Sequence, residues 1–131
     1  MAITQTIFPA IRYHDAAAAI AWLERAFGFR PHLVVPGPEG GIAHAELRLG
    51  DGLVMLGSDR EDGFPLRSPR GDAKAGVCIY VVCDEPDALF ARARAAGAEV
   101  VMAPRDSDHG SRDFVLRDPE GHLWSFGTYR P

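Results

Sequence analysis

The tripeptide His44-Ala45-Glu46 sets an imidazole and a carboxylate two positions apart. On a β-strand, positions i and i+2 share a face, so the pair could chelate a divalent ion, with His109 approaching from a distant part of the chain as a third donor. The competing reading makes His44, Glu46 and Arg48 the solvated face of an amphipathic strand whose other face is Ala45, Leu47 and Leu49. A zinc-deaminase reading of His-x-Glu fails, because Cys78 and Cys83 are neither spaced nor placed as the Pro-Cys-x-x-Cys partner it needs.

A second concentration of chemistry surrounds Gly110-Ser111: Asp106, Asp108, His109, Arg112 and Asp113. It could place a general base or an arginine clamp at the mouth of a ligand site, with Arg112 as the candidate catalytic side chain. The competing reading, and the favoured one, is a solvated loop held by local ion pairs. Ser125 and Cys78 are nucleophiles by type, yet the sequence predicts no histidine beside either, which leaves them as pocket lining. Cys78 and Cys83 fall in one apolar run, on opposite faces if that run is a strand, so free thiols are expected rather than a disulfide. The segment Gly37 to Gly41 precedes a strand and lacks a Gly-Lys-Ser/Thr ending, which excludes a phosphate loop.

What must position these groups is a duplicated scaffold. Asp15 and Asp84, Gly28 and Gly97, Leu47-Arg48 and Leu116-Arg117, and Asp51-Gly52 and Glu120-Gly121 are each separated by 69 residues. In each half an apolar run (Thr6 to Tyr13; Val77 to Cys83) leads to an aspartate suited to cap a helix. The helices then carry Ile20, Leu23 and Phe27, or Leu89, Ala93 and Ala96, at three- and four-residue spacing, with Pro86 in the first turn of the second. Gly28 and Gly97 end them in left-handed conformation, and strands follow at Phe29 to Val35 and Glu99 to Met102. Two hairpins complete the plan: Ile42 to Leu49 with Leu53 to Gly57, and Ser111 to Arg117 with His122 to Tyr129. Along the last strand, Leu123, Ser125 and Gly127 share one face, while Trp124 and Phe126 share the other and are expected in the core.

The fold class is therefore α+β: two tandem βαβββ modules, about 6–57 and about 76–129, in a single domain of 1–131, joined by a Gly-, Pro- and charge-rich linker or loop over 58–75. Curved sheets with helices outside leave a concave face for a ligand. With 47% apolar and 24% charged residues, the 131-residue chain can bury a shared core. Its net charge of -4 comes without a basic run, so neither nucleic acid nor anionic lipid is expected as a partner. No apolar stretch reaches the roughly 20 residues that cross a bilayer, and the start of the chain lacks a charged n-region and an h-region; a cytoplasmic protein is expected.

The repeated plan, with Asp15 to Phe29 (DAAAAIAWLERAFGF), His44 to Leu47 (HAEL) and Asp118 to Tyr129 (DPEGHLWSFGTY), resembles the vicinal-oxygen-chelate superfamily, also called the glyoxalase/bleomycin-resistance/dioxygenase family, from about Thr6 to Tyr129. The resemblance implies a paired βαβββ cup, usually completed by homodimerisation. Known members include metal lyases, isomerases, extradiol dioxygenases and metal-free antibiotic-binding proteins. It also implies that metal-holding positions fall on the first and last strands of each module, at or beside Phe8, Leu56, Cys78 and Ser125. A divalent-metal site requires several N or O donors there, and phenyl, isobutyl, thiol and hydroxyl groups do not supply them.

The expected function is thus a metal-free binding protein similar to the bleomycin-resistance branch. It would take a small organic ligand in an apolar, aromatic cup containing Phe8, Leu56 and Tyr80, completed by a homodimer, with no cofactor. The alternative is a divalent-metal lyase, isomerase or ring-cleaving dioxygenase with a divergent ligand set of His44, Glu46 and His109.

Overall fold

The computed structural model describes residues 5–70 and 76–131. In chain order the elements are β1 (Ala10–Tyr13), α1 (Ala16–Phe27), β2 (Arg30–Pro36), β3 (Ile42–Leu49), β4 (Gly52–Ser58), β5 (Cys78–Val82), α2 (Pro86–Ala95), β6 (Glu99–Asp106), β7 (Arg112–Arg117) and β8 (Leu123–Gly127). They form two sheets of the same design, ordered β1-β4-β3-β2 and β5-β8-β7-β6. In each the first strand runs parallel to the last, which only a crossover through the helix permits. The βαβββ repeat is therefore as the sequence predicts.

The first helix starts as expected: Asp15 accepts from the Ala18 amide at 3.1 Å, and Gly28 closes the helix at φ 86°. The second differs. Glu85, not Asp84, occupies the cap position, without a side-chain bond, and Asp84 instead faces Arg130 at 3.6 Å. Pro86 in the first turn fixes the backbone there without needing a capping carboxylate.

Helix α1 buries Ala16, Ala19, Leu23, Ala26 and Phe27, with Trp22 beside them; Ile20, expected on this stripe, is only partly buried. This face reaches across to the second module. The Phe27 ring meets Phe126 at 4.7 Å and Trp124 at 5.3 Å, Phe29 meets Trp124 at 5.6 Å, and the Trp22 indole donates to the Ala96 carbonyl at 2.6 Å. Trp124 and Phe126 are fully enclosed, as their alternation predicts. Each module alone would expose these rings, so the shared core holds the two halves together.

The hairpin turns break the symmetry. Leu49 pairs with Gly52 around Gly50-Asp51, whereas Asp118 donates its amide to the His122 carbonyl around Pro119-Glu120-Gly121, with Gly121 at φ 95°. The second turn holds one residue more. Ala45 and Leu47 therefore correspond to Phe114 and Leu116 at the expected spacing, but Leu56 corresponds to Phe126 and Met55 to Ser125.

Candidate functional site

Each sheet packs its helix-facing side into the core and leaves the other side open. On the first sheet the open face carries His44 and Glu46 from β3, Met55 from β4 and Arg12 from β1, as the strand registers require. Leu56 is not there: it is 3% exposed and turned into the core beside Ile11. The extra turn residue in the second module shifts the equivalence by one, and one step along a strand exchanges the faces. Met55 takes the position expected for Leu56. Phe8 lies just before β1 and is half-buried.

His44 Nε2 and Glu46 Oε2 lie 2.9 Å apart, so the two groups that could chelate are engaged with each other. His109 is in the second module, its ring 6.2 Å edge-on from Tyr129. Among the described residues no three His, Cys, Asp or Glu side chains converge as a metal site. A divalent ion at this pair would find an imidazole and a carboxylate on one sheet and, among the described residues, no third His, Cys, Asp or Glu donor with them, so this donor set does not fit the group.

Arg12 was not singled out from the sequence, yet it organises this face. Its guanidinium, nearly enclosed, meets Asp62 through Nη1 at 3.2 Å and Nη2 at 2.7 Å, and lies 5.2 Å from the centre of the Phe64 ring. The Arg12 guanidinium and the Phe64 amide hold the Asp62 carboxyl far below the usual carboxylate range. The segment expected as a linker or mobile loop is thus fastened over β1 as far as Arg70, and residues 71–75 lie outside the described residues. Only a small cavity of 120 Å³ remains under it, bounded by Arg12, His44, Met55 and Phe64.

The open face of the second sheet is roomier. Tyr80 from β5 pairs with Ser125 from β8, Ser125 with Val115 from β7, and Cys78 lies along the same side. Tyr80, Val115 and Ser125 border, with His109 and Tyr129, a cavity of 530 Å³, completed by Met102 and Arg105 from β6. Of the residues expected here, the structure brings together Tyr80, His109 and Ser125 in this cavity. The Tyr80 hydroxyl donates to the Tyr129 carbonyl at 2.7 Å, fixing the chain's last turn against β5. Gly127 allows this: a Cβ there would collide with the Asp113 carboxylate and crowd the Tyr80 hydroxyl. The Asp113 carboxylate is itself held by the Ser111 hydroxyl.

No activated nucleophile emerges. Burial pushes the Cys78 thiol above its ordinary range, partly offset by the Ser125 backbone, which keeps it protonated and weakly nucleophilic near neutrality. Burial, followed by the nearby Asp113, likewise raises the Tyr80 phenol. Arg112 is not at the mouth of this cavity. It shares the helix side with Phe114, where Nε and Nη2 each meet the Asp87 carboxylate of α2 at 3.0 Å and Nη1 meets Asp106 at 3.2 Å. Its role is to tie α2 to β7. Alternation from Phe114 could have assigned it there; Tyr129, beyond the end of β8, carried no such signal.

Residues 5–126 match the sequence family described as the glyoxalase/bleomycin resistance protein/dioxygenase superfamily. An uncharacterized protein of Mycobacterium bovis, Mb0911c, is 37% identical over 127 residues, covering 95% of this chain and 84% of its own length. Among solved structures, TioX from Micromonospora sp. ML1 is 33% identical with a TM-score of 0.75, covering 97% of this chain and 98% of that one. The fosfomycin resistance protein FosX from Mesorhizobium loti shares the fold at a TM-score of 0.67 and 16% identity, over 98% of this chain and 94% of that one.

Proposed function

The chain belongs to the glyoxalase/bleomycin resistance protein/dioxygenase superfamily, and on that premise we propose that it is a metal-free binding protein of the bleomycin-resistance type. It sequesters a small organic molecule with an aromatic portion on the open face of the second sheet. The observation that carries the reading is the chemistry of the end strands. Where a superfamily enzyme is expected to present imidazole and carboxylate groups, this chain presents Phe8, Met55, Cys78 and Ser125, and the adjoining cavity is walled by Tyr80, His109 and Tyr129. Its 530 Å³ falls within the roughly 300–1,000 Å³ typical of small-molecule sites. Rings supply flat apolar contact, while Ser125, Arg105 and Asp113 supply polar contacts at the edge.

The cup is completed by a second copy. Strands β2 and β6 are exposed along most of their length, leaving Leu33, Val34, Val35, Val100 and Val101 uncovered. Monomeric proteins seldom leave such edges bare, and placing the first sheet of one copy over the second sheet of another encloses both open faces.

Native mass spectrometry with elemental analysis of freshly purified protein tests this reading. The expected result is a dimer without stoichiometric metal that retains an organic molecule, with retention lost in Tyr80→Ala and unchanged in Arg112→Ala. Stoichiometric nickel, zinc, iron or manganese, with a catalytic activity lost on chelation, would overturn it in favour of a metal site using His44 and Glu46.

A further inference from the structure

The two modules meet at two junctions related by the internal repeat, and the structure closes only one of them. At the closed junction the turn after β7 grips the end of β1. Tyr13 donates its hydroxyl to Asp118 at 2.6 Å, the Trp124 indole donates to the same carboxylate oxygen at 3.0 Å, and His122 Nε2 lies 2.8 Å from the Arg12 carbonyl. The His122 ring stands edge-on to Tyr13 at 4.7 Å. Glu120 adds a clamp on the start of α1, accepting from the His14 amide at 2.5 Å and the Asp15 amide at 2.8 Å.

At the other junction each of the three ring side chains is replaced by a smaller group, and the carboxylate by an aliphatic one. Counting back from the helix caps, Tyr13 corresponds to Cys83; through the hairpin registers, Asp118 corresponds to Leu49, His122 to Gly52 and Trp124 to Val54. A phenol, an imidazole and an indole are thus exchanged for a thiol, a hydrogen atom and an isopropyl group. All four replacement residues border one cavity of 590 Å³, backed by the rings of Phe27 and Phe29 and by Leu89. The groove left at the closed junction measures 340 Å³. The cavity lies toward the helix side of the sheets; it shares Tyr80 with the cup cavity but not Ser125 or Val115.

We propose that this open junction is a second ligand site, one that takes an uncharged planar aromatic group in the space which Tyr13 and Trp124 fill at the closed junction. The protein itself supplies the template: the same framework accommodates an indole and a phenol where its own sequence provides them. Leu49 replaces the Asp118 acceptor, so the carboxylate that receives the phenol and indole at the closed junction has no counterpart in that place; Leu49, Val54, Phe27 and Phe29 present apolar surface there, with Asp51 and Arg130 also on the border. Cys83 forms an uncharged wall, its thiol raised by burial and then by Asp84 and Asp113. Interlocking rings across this junction would stiffen the contact between modules as Trp124 does across the other.

Indole is the direct probe, and methyl-labelled protein read by NMR is the assay. Titration should give saturable shifts at the methyl groups of Leu49, Val54, Ile79 and Leu89, while those of Val115, on the cup face, stay in place. Val54→Trp restores the missing indole and should abolish the response; Cys83→Met, a milder filling, should weaken it severalfold and serves if the tryptophan variant does not fold. Non-saturable shifts, shifts centred on Val115, or full binding by a folded filled variant would each overturn the proposal. So would junction methyl signals that change with protein dilution and fail to respond to indole, since a second copy would then be covering the cavity. The Val115 methyls report on the cup and those of Leu49, Val54, Ile79 and Leu89 on the junction, which separates the two sites.

Discussion

Replacing Asp118 with alanine should loosen the whole molecule. The carboxylate is 4% exposed and serves four donors: the Tyr13 hydroxyl, the Trp124 indole, and the amides of Glu120 and His122. The turn amides lie at a partly exposed position and can regain water. The phenol and indole cannot, since Tyr13 is 1% and Trp124 0% exposed. Stranding a buried donor costs about 1–3 kcal/mol, so Asp118→Ala should cost about 2–6 kcal/mol. That is a large share of the roughly 5–15 kcal/mol by which a domain is stable. At about 3–5 °C per kcal/mol for a chain of this length, Tm should fall by at least roughly 6 °C. Urea denaturation followed by tryptophan fluorescence measures the loss, and a cycle with Tyr13→Phe isolates the mechanism. Once the phenol is gone, Asp118→Ala has one donor fewer to strand and should cost about 1–3 kcal/mol less. A loss below about 1 kcal/mol, or a cycle with no coupling, would refute the claim that this carboxylate is the keystone of the module junction.

The Arg12–Asp62 contact predicts an acid-resistant loop. The Asp62 pKa is depressed, so its contribution is present above the ordinary carboxylate range near about pH 4 and is lost only as pH falls well below it. Trypsin cleavage after Arg60 or Arg67 should therefore be slow in native protein and fast in Asp62→Asn at neutral pH; equal rates in the two proteins would refute the docking. Native-state NMR of the Phe64 ring should likewise report the same docked position at about pH 5 and pH 7, both above that window. Cys78 should alkylate slowly near neutrality and accelerate only above the ordinary thiol range of about 8.5, since burial disfavours its thiolate. Iodoacetamide labelling across pH, with Cys83→Ser to remove the other thiol, measures this; rapid labelling below about pH 7 would identify an activated cysteine instead.

The scaffold was legible because it obeys local rules. Asp15, Gly28 and the alternation of Ala45, Leu47 and Leu49 each specify one backbone state or one sheet face, and the structure agrees at each. Where the sequence reading failed, it failed by one residue or by one face. Asp84 yielded to Glu85 because Pro86 sets the helix start. Leu56 moved to the core because a turn of different length changes the equivalence between strands without leaving a mark in the matched Asp51-Gly52 and Glu120-Gly121 pairs. Arg112 looked like part of a loop cluster, but its charge is spent on Asp87, a partner 25 residues away that only the packing of α2 on β7 reveals. Tyr129 and Arg12 were invisible for the same reason. Their importance lies in contacts with Tyr80 and Asp62, which are set by tertiary structure and not by any spacing.

The same single residue has a consequence for how the modules are joined. A two-residue turn after β3 leaves Leu49 beside Gly52, with no counterpart of the Asp118 carboxylate or the His122 ring. A three-residue turn after β7 brings in Asp118 and His122, whose side chains bind the Tyr13 hydroxyl and the Arg12 carbonyl at the end of β1. With the halves fixed by one closed junction, the protein does not need polar groups on its open sheet faces to hold its modules together. The open face of the second sheet can therefore carry Tyr80 and Ser125, which on the proposed reading are left to a ligand. The duplication thus makes the two junctions unequal: one turn supplies cohesion, and the other module end carries no equivalent of it.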